Sequence, residues 1–215
     1  MNQTAESSNT IDEILEAAAV VFSEKGFDGA RVDELARAAG VNKATLYYQI
    51  GDKEALYHAV LTRVIKRTAN DIEQALETVS DCELRIRAFV EIFARNTGNV
   101  RYAAPIMLRE VASGGRNLPE SAVQEMGRVL GALTDTLQQG IEQGLFRPVN
   151  AFMVHMMIVG SLTLYSANEP IRHRNAKHNP EIHDPSHFIT TEEAGREVGN
   201  LILAAIKAQP QETQS

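Results

Sequence analysis

Residues 31–50, RVDELARAAGVNKATLYYQI, constrain the rest of the chain most. Val32, Leu35, Ala36 and Ala39 recur at helical spacing and run into Gly40. Val41 and Asn42 follow, and a second short segment keeps Leu46 and Ile50 on its inner side. Glycine tolerates the left-handed backbone that ends a helix tightly, and an asparagine side chain accepts from the free N–H groups that open the next. Two short helices joined in this way predict a helix-turn-helix, whose second helix is narrow enough to enter the DNA major groove. That helix carries Lys43, Thr45, Tyr47, Tyr48 and Gln49, all with side chains that can contact phosphates or base edges.

A net charge of −7 argues against a nucleic-acid partner until it is resolved along the chain. Residues 11–40 hold three basic side chains against seven acidic ones, whereas residues 41–67 hold five against two. Positive charge therefore begins where the second helix of the motif begins. An acidic remainder weakens non-specific attachment and leaves binding to geometry and base contacts. A hydrophobic content of 44% in 215 residues suits an ordinary globular core. No apolar run of about 18 residues is present to span a membrane, and the polar N-terminus lacks the pattern of a signal peptide. A single cysteine, Cys82, excludes an internal disulfide and reads as a small buried side chain in a reducing cytoplasm. A cytoplasmic protein is expected.

Taken in order, residues 1–9 read as a disordered tail. Thr10 and Glu13 form a capping-box pattern opening a helix with Ile11, Ile14, Leu15, Ala18 and Phe22 on one face, ending at Gly26. Phe27 is placed to plug a small core under the helix-turn-helix, and a three-helix head over residues 10–51 is expected to close that core. Gly51 breaks the third helix and Asp52 can cap a long fourth, over about 53–78. Further helices are expected over about 83–97, from Pro105 to the Gly114–Gly115 pair, from Pro119 to Gly144, over 151–167 and over 191–208. No β periodicity is evident, so the fold class is all-α: a helix-turn-helix head followed by a helical body over 52–208, with residues 209–215 as a tail. Residues 169–190, with three prolines and no helical period, read as a long loop.

Residues 11–65 resemble the DNA-binding head of the tetracycline-repressor (TetR) family of transcriptional regulators. The resemblance rests on Phe27 and Gly29, Val32 to Ala36, Ala39-Gly40-Val41, Thr45-Leu46-Tyr47-Tyr48 and Asp52-Lys53-Glu54-Ala55-Leu56. Two positions depart from the family pattern: Ala30 stands where Thr is frequent, and Ile50 where an aromatic is frequent. The first is expected to weaken one cap or phosphate contact, and the second still to fill the core.

Within the motif, Lys43 and Ala44 lie at the end of the second helix that meets base edges, where lysine can donate to guanine and alanine can touch a thymine methyl. Asn42 caps that helix. Thr45, Tyr47 and Tyr48 are better placed for phosphates, as the resemblance also implies. Lys53 would meet phosphate at the start of the fourth helix, and Arg31 the backbone from the start of the second. One short helix reads too few bases for selectivity, so a homodimer on a two-fold symmetric operator is expected. The resemblance implies a four-helix bundle made by the last two long helices and their mates, here 151–167 and 191–208, with Gly160-Ser161 and Ala204-Ala205 permitting close approach.

The resemblance further implies a small-molecule effector bound between body helices that moves the two heads apart and releases DNA. Candidate linings are Phe93, Tyr102, Met107, Met126, Phe152, His155, Met156 and Tyr165, residue types that suit an adaptable apolar pocket and a plain core alike. The loop contributes His173, His178, His183 and His187 beside Glu181 and Asp184. Imidazole and carboxylate suit zinc or nickel, but spacings of five, five and four match no standard metal motif. No cofactor is expected, and no catalytic constellation appears. The leading reading is a one-component repressor coupled through the long fourth helix. A metal-responsive regulator using the His-rich loop and a ligand-independent DNA-binding regulator are the alternatives.

Overall fold

The computed structural model describes residues 3–179, 181 and 188–208, with residues 3–10 described by backbone alone. Ten α-helices follow one another: α1 Gln3–Gly29, α2 Val32–Ala38, α3 Lys43–Gln49, α4 Lys53–Glu77, α5 Cys82–Asn99, α6 Ala103–Ala112, α7 Glu120–Glu142, α8 Ala151–Ala167, α9 Glu169–His178 and α10 Thr191–Ile206. Among the described residues no strand forms, only an isolated antiparallel bridge between Phe146 and Lys207. The all-α class expected from the sequence is observed.

Two of the expected element boundaries change. The helix expected to open at Thr10 already runs from Gln3, so Thr10 lies inside α1 and not at its cap. Residues 3–9 contain neither Pro nor Gly, and nothing in them interrupts the backbone ladder. Helix α9 likewise replaces the first half of the expected loop 169–190. Pro170 sits in its first turn, where the missing N–H costs nothing; Glu169 at that end and Lys177 and His178 at the other complement the helix dipole. Residues 180 and 182–187 of the expected loop, and the tail 209–215, lie outside the described residues.

The chain forms two compact units. The first comprises the chain up to Arg67 together with Val100–Glu125. Its core joins Ile14, Ala18 and Phe22 of α1, Leu35 of α2, Leu46 of α3, Leu56, Tyr57, Val60 and Leu61 of α4, and Ile106 of α6, all nearly inaccessible to solvent. The first three helices thus do not close a core alone; α4 and α6 complete it. Each fully buried side chain of this size contributes about 1.5–3 kcal/mol of burial free energy.

The second unit comprises Thr68–Asn99 and the chain from Met126 on. Ile72, Ile86, Phe89, Val90, Leu133, Leu137, Ile158, Leu162, Ile202 and Ile206 form its core. Helices α5 and α10 cross closely because Gly195 has no side chain: a Cβ there would stand 2.4 Å from that of Ala94. Asn150 caps α8 through Met153 N, and Thr190 with Glu193 forms a capping box at α10. The Glu193 carboxyl is held below its ordinary range by hydrogen bonds from the Thr190 backbone and hydroxyl.

Candidate nucleic-acid interface

Helix α2 ends in a tightly bonded turn. Val41 N donates to Ala36 O at 3.0 Å and Gly40 N to Arg37 O at 3.1 Å, the paired closure that needs a left-handed residue; Gly40 supplies it with φ +67°. Asn42 then opens α3, its Oδ1 accepting from Thr45 N at 2.8 Å and from Thr45 Oγ1 at 3.1 Å. Leu46 anchors α3 in the core while Lys43, Ala44, Tyr47 and Tyr48 face solvent. Tyr48 is 92% exposed, a large aromatic surface that no intramolecular packing explains.

The charged candidates have intramolecular partners. Lys43 pairs with Asp33 of α2, two exposed side chains in a geometry worth little in water. Lys25 donates to Glu34 at 2.7 Å and holds its carboxyl below the ordinary range. Arg31 is the exposed N-cap residue of α2 and makes no side-chain capping bond. Lys53 is turned inward: its Nζ donates to Phe27 O at 3.0 Å and Ala30 O at 3.3 Å and lies 4.4 Å from the centre of the Phe27 ring. An ammonium has three donors, so one N–H is left over for a phosphate oxygen.

Sequence reasoning missed the polar network behind this surface. Tyr57 of α4 donates to Glu110 Oε1 at 2.8 Å, and the same buried carboxylate accepts from Asn117 N and Nδ2, each at 3.2 Å. Burial first, and then the Glu110 carboxylate, push the Tyr57 phenol well above its ordinary range. The available signal was Glu110 standing on the inner register of α6, one turn beyond Ile106.

The candidate effector residues divide between the units. Tyr102 and Met107 pack in the first, where the Tyr102 hydroxyl donates to Glu16 Oε2 at 2.7 Å. Phe93 and Tyr165 pack against the core of the second, with the Tyr165 hydroxyl donating to Ile189 O at 2.7 Å. Phe152, Met156 and Met126 are exposed on this chain, whereas His155 is half-buried with Nδ1 unpartnered among the described residues. Burial lowers the His155 pKa below the ordinary histidine value.

His173 and His178 lie five residues apart on α9, so their side chains leave the axis about 140° apart. His183 and His187 lie outside the described residues. Among the described residues no group of three or more His, Cys, Asp or Glu is gathered to hold a metal ion. No single helix there is long and apolar enough to cross a membrane.

A capped helix-turn-helix within a compact unit, followed by a second helical unit, defines a helix-turn-helix regulator with a helical body. Residues 14–60 match the profile of bacterial regulatory proteins of the tetR family, and residues 83–181 that of the tetracyclin repressor-like C-terminal domain. The chain belongs to the TetR family of transcriptional regulators. It is 28% identical over 169 residues to the HTH-type transcriptional repressor NicS of Pseudomonas putida, covering 76% of this chain and 78% of that protein. It is 42% identical over 81 residues to the HTH-type transcriptional activator FasR of Mycolicibacterium smegmatis, of which it spans only 37%; the match covers 38% of this chain. Among solved structures, the TetR family regulator PfmR of Thermus thermophilus superposes with a TM-score of 0.65 at 28% identity over 89% of this chain and 97% of that one. FadR of Bacillus subtilis, solved with stearoyl-CoA, superposes with 0.72 at 16% identity over 91% and 98%, a likeness of fold.

Proposed function

We propose that this protein is a one-component transcriptional repressor that binds a two-fold symmetric operator as a homodimer and is released by a small-molecule effector bound in the helical body. The observation that carries the reading is α3: a capped helix anchored by Leu46 whose outward face presents Lys43, Ala44, Tyr47 and the almost wholly exposed Tyr48. Lys43 and Ala44 read base edges; Thr45, Tyr47, Tyr48, Arg31 and the remaining N–H of Lys53 take phosphates. To reach guanine, Lys43 leaves Asp33, an exposed pair that costs little to break.

The homodimer is proposed to form through α8 and α10. Phe152, Met153, Met156, Met157 and Leu164 of α8 and Leu201 of α10 are exposed on one chain, large apolar side chains that a mate's helices would cover. An effector acts by binding better to the arrangement in which the two heads do not fit the operator, with α4 as the connecting element. Repression follows NicS, a relative matched over 76% of this chain.

The test is titration of the full-length protein against DNA flanking its own gene, by anisotropy and footprinting at two salt concentrations. Two protected half-sites about one helical turn apart, with affinity falling at higher salt, are the expected result. Binding that ignores sequence on every fragment overturns the reading.

A further inference from the structure

Two consecutive residues of α6 reach into the head, Arg109 to α1 near its kink and Glu110 to Tyr57 of α4. Arg109 Nε donates to Ser23 O at 3.3 Å and its Nη2 to Glu24 O at 2.9 Å, on the last turn of α1 before the backbone breaks at Gly26. The Gly26 break, with φ 71° and ψ 178°, leaves those carbonyls short of helical partners, and the guanidinium supplies them. Glu110, only 2% exposed, takes the Tyr57 hydroxyl. The Tyr57 ring stands 5.2 Å from that of Phe27 and 4.7 Å, edge-on, from that of Phe22. Phe27 in turn holds Lys53 through its carbonyl oxygen and its ring face. A contiguous series of packed and hydrogen-bonded groups thus runs from the turn at Asn117, through Glu110, Tyr57 and Phe27, to the ammonium of Lys53.

We propose that Glu110 is a positioning residue for DNA binding, which through Tyr57 and Phe27 sets the Lys53 ammonium for a backbone phosphate. The inference rests on the DNA-binding reading of α3 and its flanks given above. Its physical basis is that a buried carboxylate has no water to fall back on. Loss of the phenol bond leaves Glu110 Oε1 with Asn117 Nδ2 as its one donor among the described residues and frees the Tyr57 ring to shift against Phe27. A displaced Phe27 carbonyl releases Lys53, and one phosphate contact per protomer is lost or loosened. Glu110 touches no DNA in this account; it acts through other side chains.

The salt dependence of binding separates this role from plain stabilisation. Each phosphate neutralised by a cationic side chain adds about −0.9 to the slope of log affinity against log salt. The full-length chain is titrated with the tightest duplex that the wild type selects from a random-sequence library, well below every variant's unfolding midpoint. Tyr57→Phe and Glu110→Gln are each expected to weaken binding about fivefold and to flatten the slope by about two, one phosphate contact in each protomer of the dimer, matching Lys53→Gln. In a Lys53→Gln background, Tyr57→Phe is expected to change affinity by less than about twofold, because the contact it disturbs is already gone. Tyr57→Phe keeps the ring between Phe22 and Phe27, so it carries the test where Glu110→Gln does not fold. An unchanged slope, or effects that multiply in the double variant, overturns the proposal and leaves Glu110 a stabilising group. A wild type that selects no duplex instead overturns the DNA-binding reading itself.

Discussion

Tyr102 donates its hydroxyl to Glu16 Oε2 over 2.7 Å, and Arg63 Nη1 donates to the same oxygen at 3.0 Å. One carboxylate oxygen of α1 therefore gathers a phenol next to α6 and a guanidinium of α4. The tyrosine is buried, but the Glu16 side chain is about half exposed, so water moderates the pairing. Tyr102→Phe is expected to lower unfolding free energy by about 1 kcal/mol, measured by urea denaturation at pH 7.

The same pair gives an alkaline signature. Burial first, and Glu16 second, raise the Tyr102 phenol above its ordinary value of 10.0. The folded chain then holds this proton more tightly than the unfolded chain does. The contribution to stability is complete below pH 10 and is lost as pH rises from there through the folded value. The advantage of wild type over Tyr102→Phe should accordingly hold up to about pH 10 and shrink above it; a constant difference would contradict the assignment.

Asn42→Ala removes the acceptor for Thr45 N and Oγ1 at once. The expected loss is about 1 kcal/mol of stability, read from the thermal midpoint. Operator affinity should fall by more than that destabilisation alone explains, because the seven-residue α3 has few other bonds to fix its first turn. Asn42→Asp should recover most of the midpoint, since aspartate caps equally well, while weakening DNA binding through its negative charge. Equal recovery of both quantities would show that position 42 stays away from phosphate.

The helix-turn-helix was legible because local chemistry alone decides it: Gly40 is needed by the backbone, and Asn42 by the orphan N–H groups of α3. What the sequence hides is partnership across distance. Nothing near Tyr57 announces Glu110, 53 residues on, and nothing in α6 announces that its core residues pack with the head. Lys53 reads as a surface cation because its neighbours in sequence are polar, yet its ammonium is committed to carbonyls more than 20 residues earlier. In α9 the helix was masked by Pro170, which breaks a helix anywhere except in the first turn, where it stands.

His155 offers a pH test of the second unit. Its ring is half-buried on α8 with Nδ1 unpartnered among the described residues, and burial keeps its pKa below the ordinary 6.5. The folded chain therefore binds this proton less readily than the unfolded chain. The stability contributed is present above pH 6.5 and is lost as pH falls through the lower folded value. His155→Gln should flatten the decline in urea midpoint between pH 7 and 5 relative to wild type. Parallel declines in the two proteins would show that other groups set the acid limit.

The proposed dimer face can be tested without touching the core. Leu201 is 68% exposed and a Cβ added at Gly160 would meet nothing within 4 Å, so neither position is constrained by its own chain. Leu201→Glu should leave the circular dichroism spectrum of the chain intact yet bury an unpaired charge in any α8–α10 bundle, which costs several kcal/mol. Sedimentation should then show monomers at concentrations where wild type is dimeric, together with loss of two-half-site footprints. Gly160→Ala asks a finer question. Within one chain, alanine in a helix interior is favoured over glycine by about 0.5–1 kcal/mol. If a mate's helix crosses closely at Gly160, the same methyl group must instead weaken association. A variant with higher helicity and a larger dimer dissociation constant would place the crossing there; unchanged association would move it elsewhere along α8.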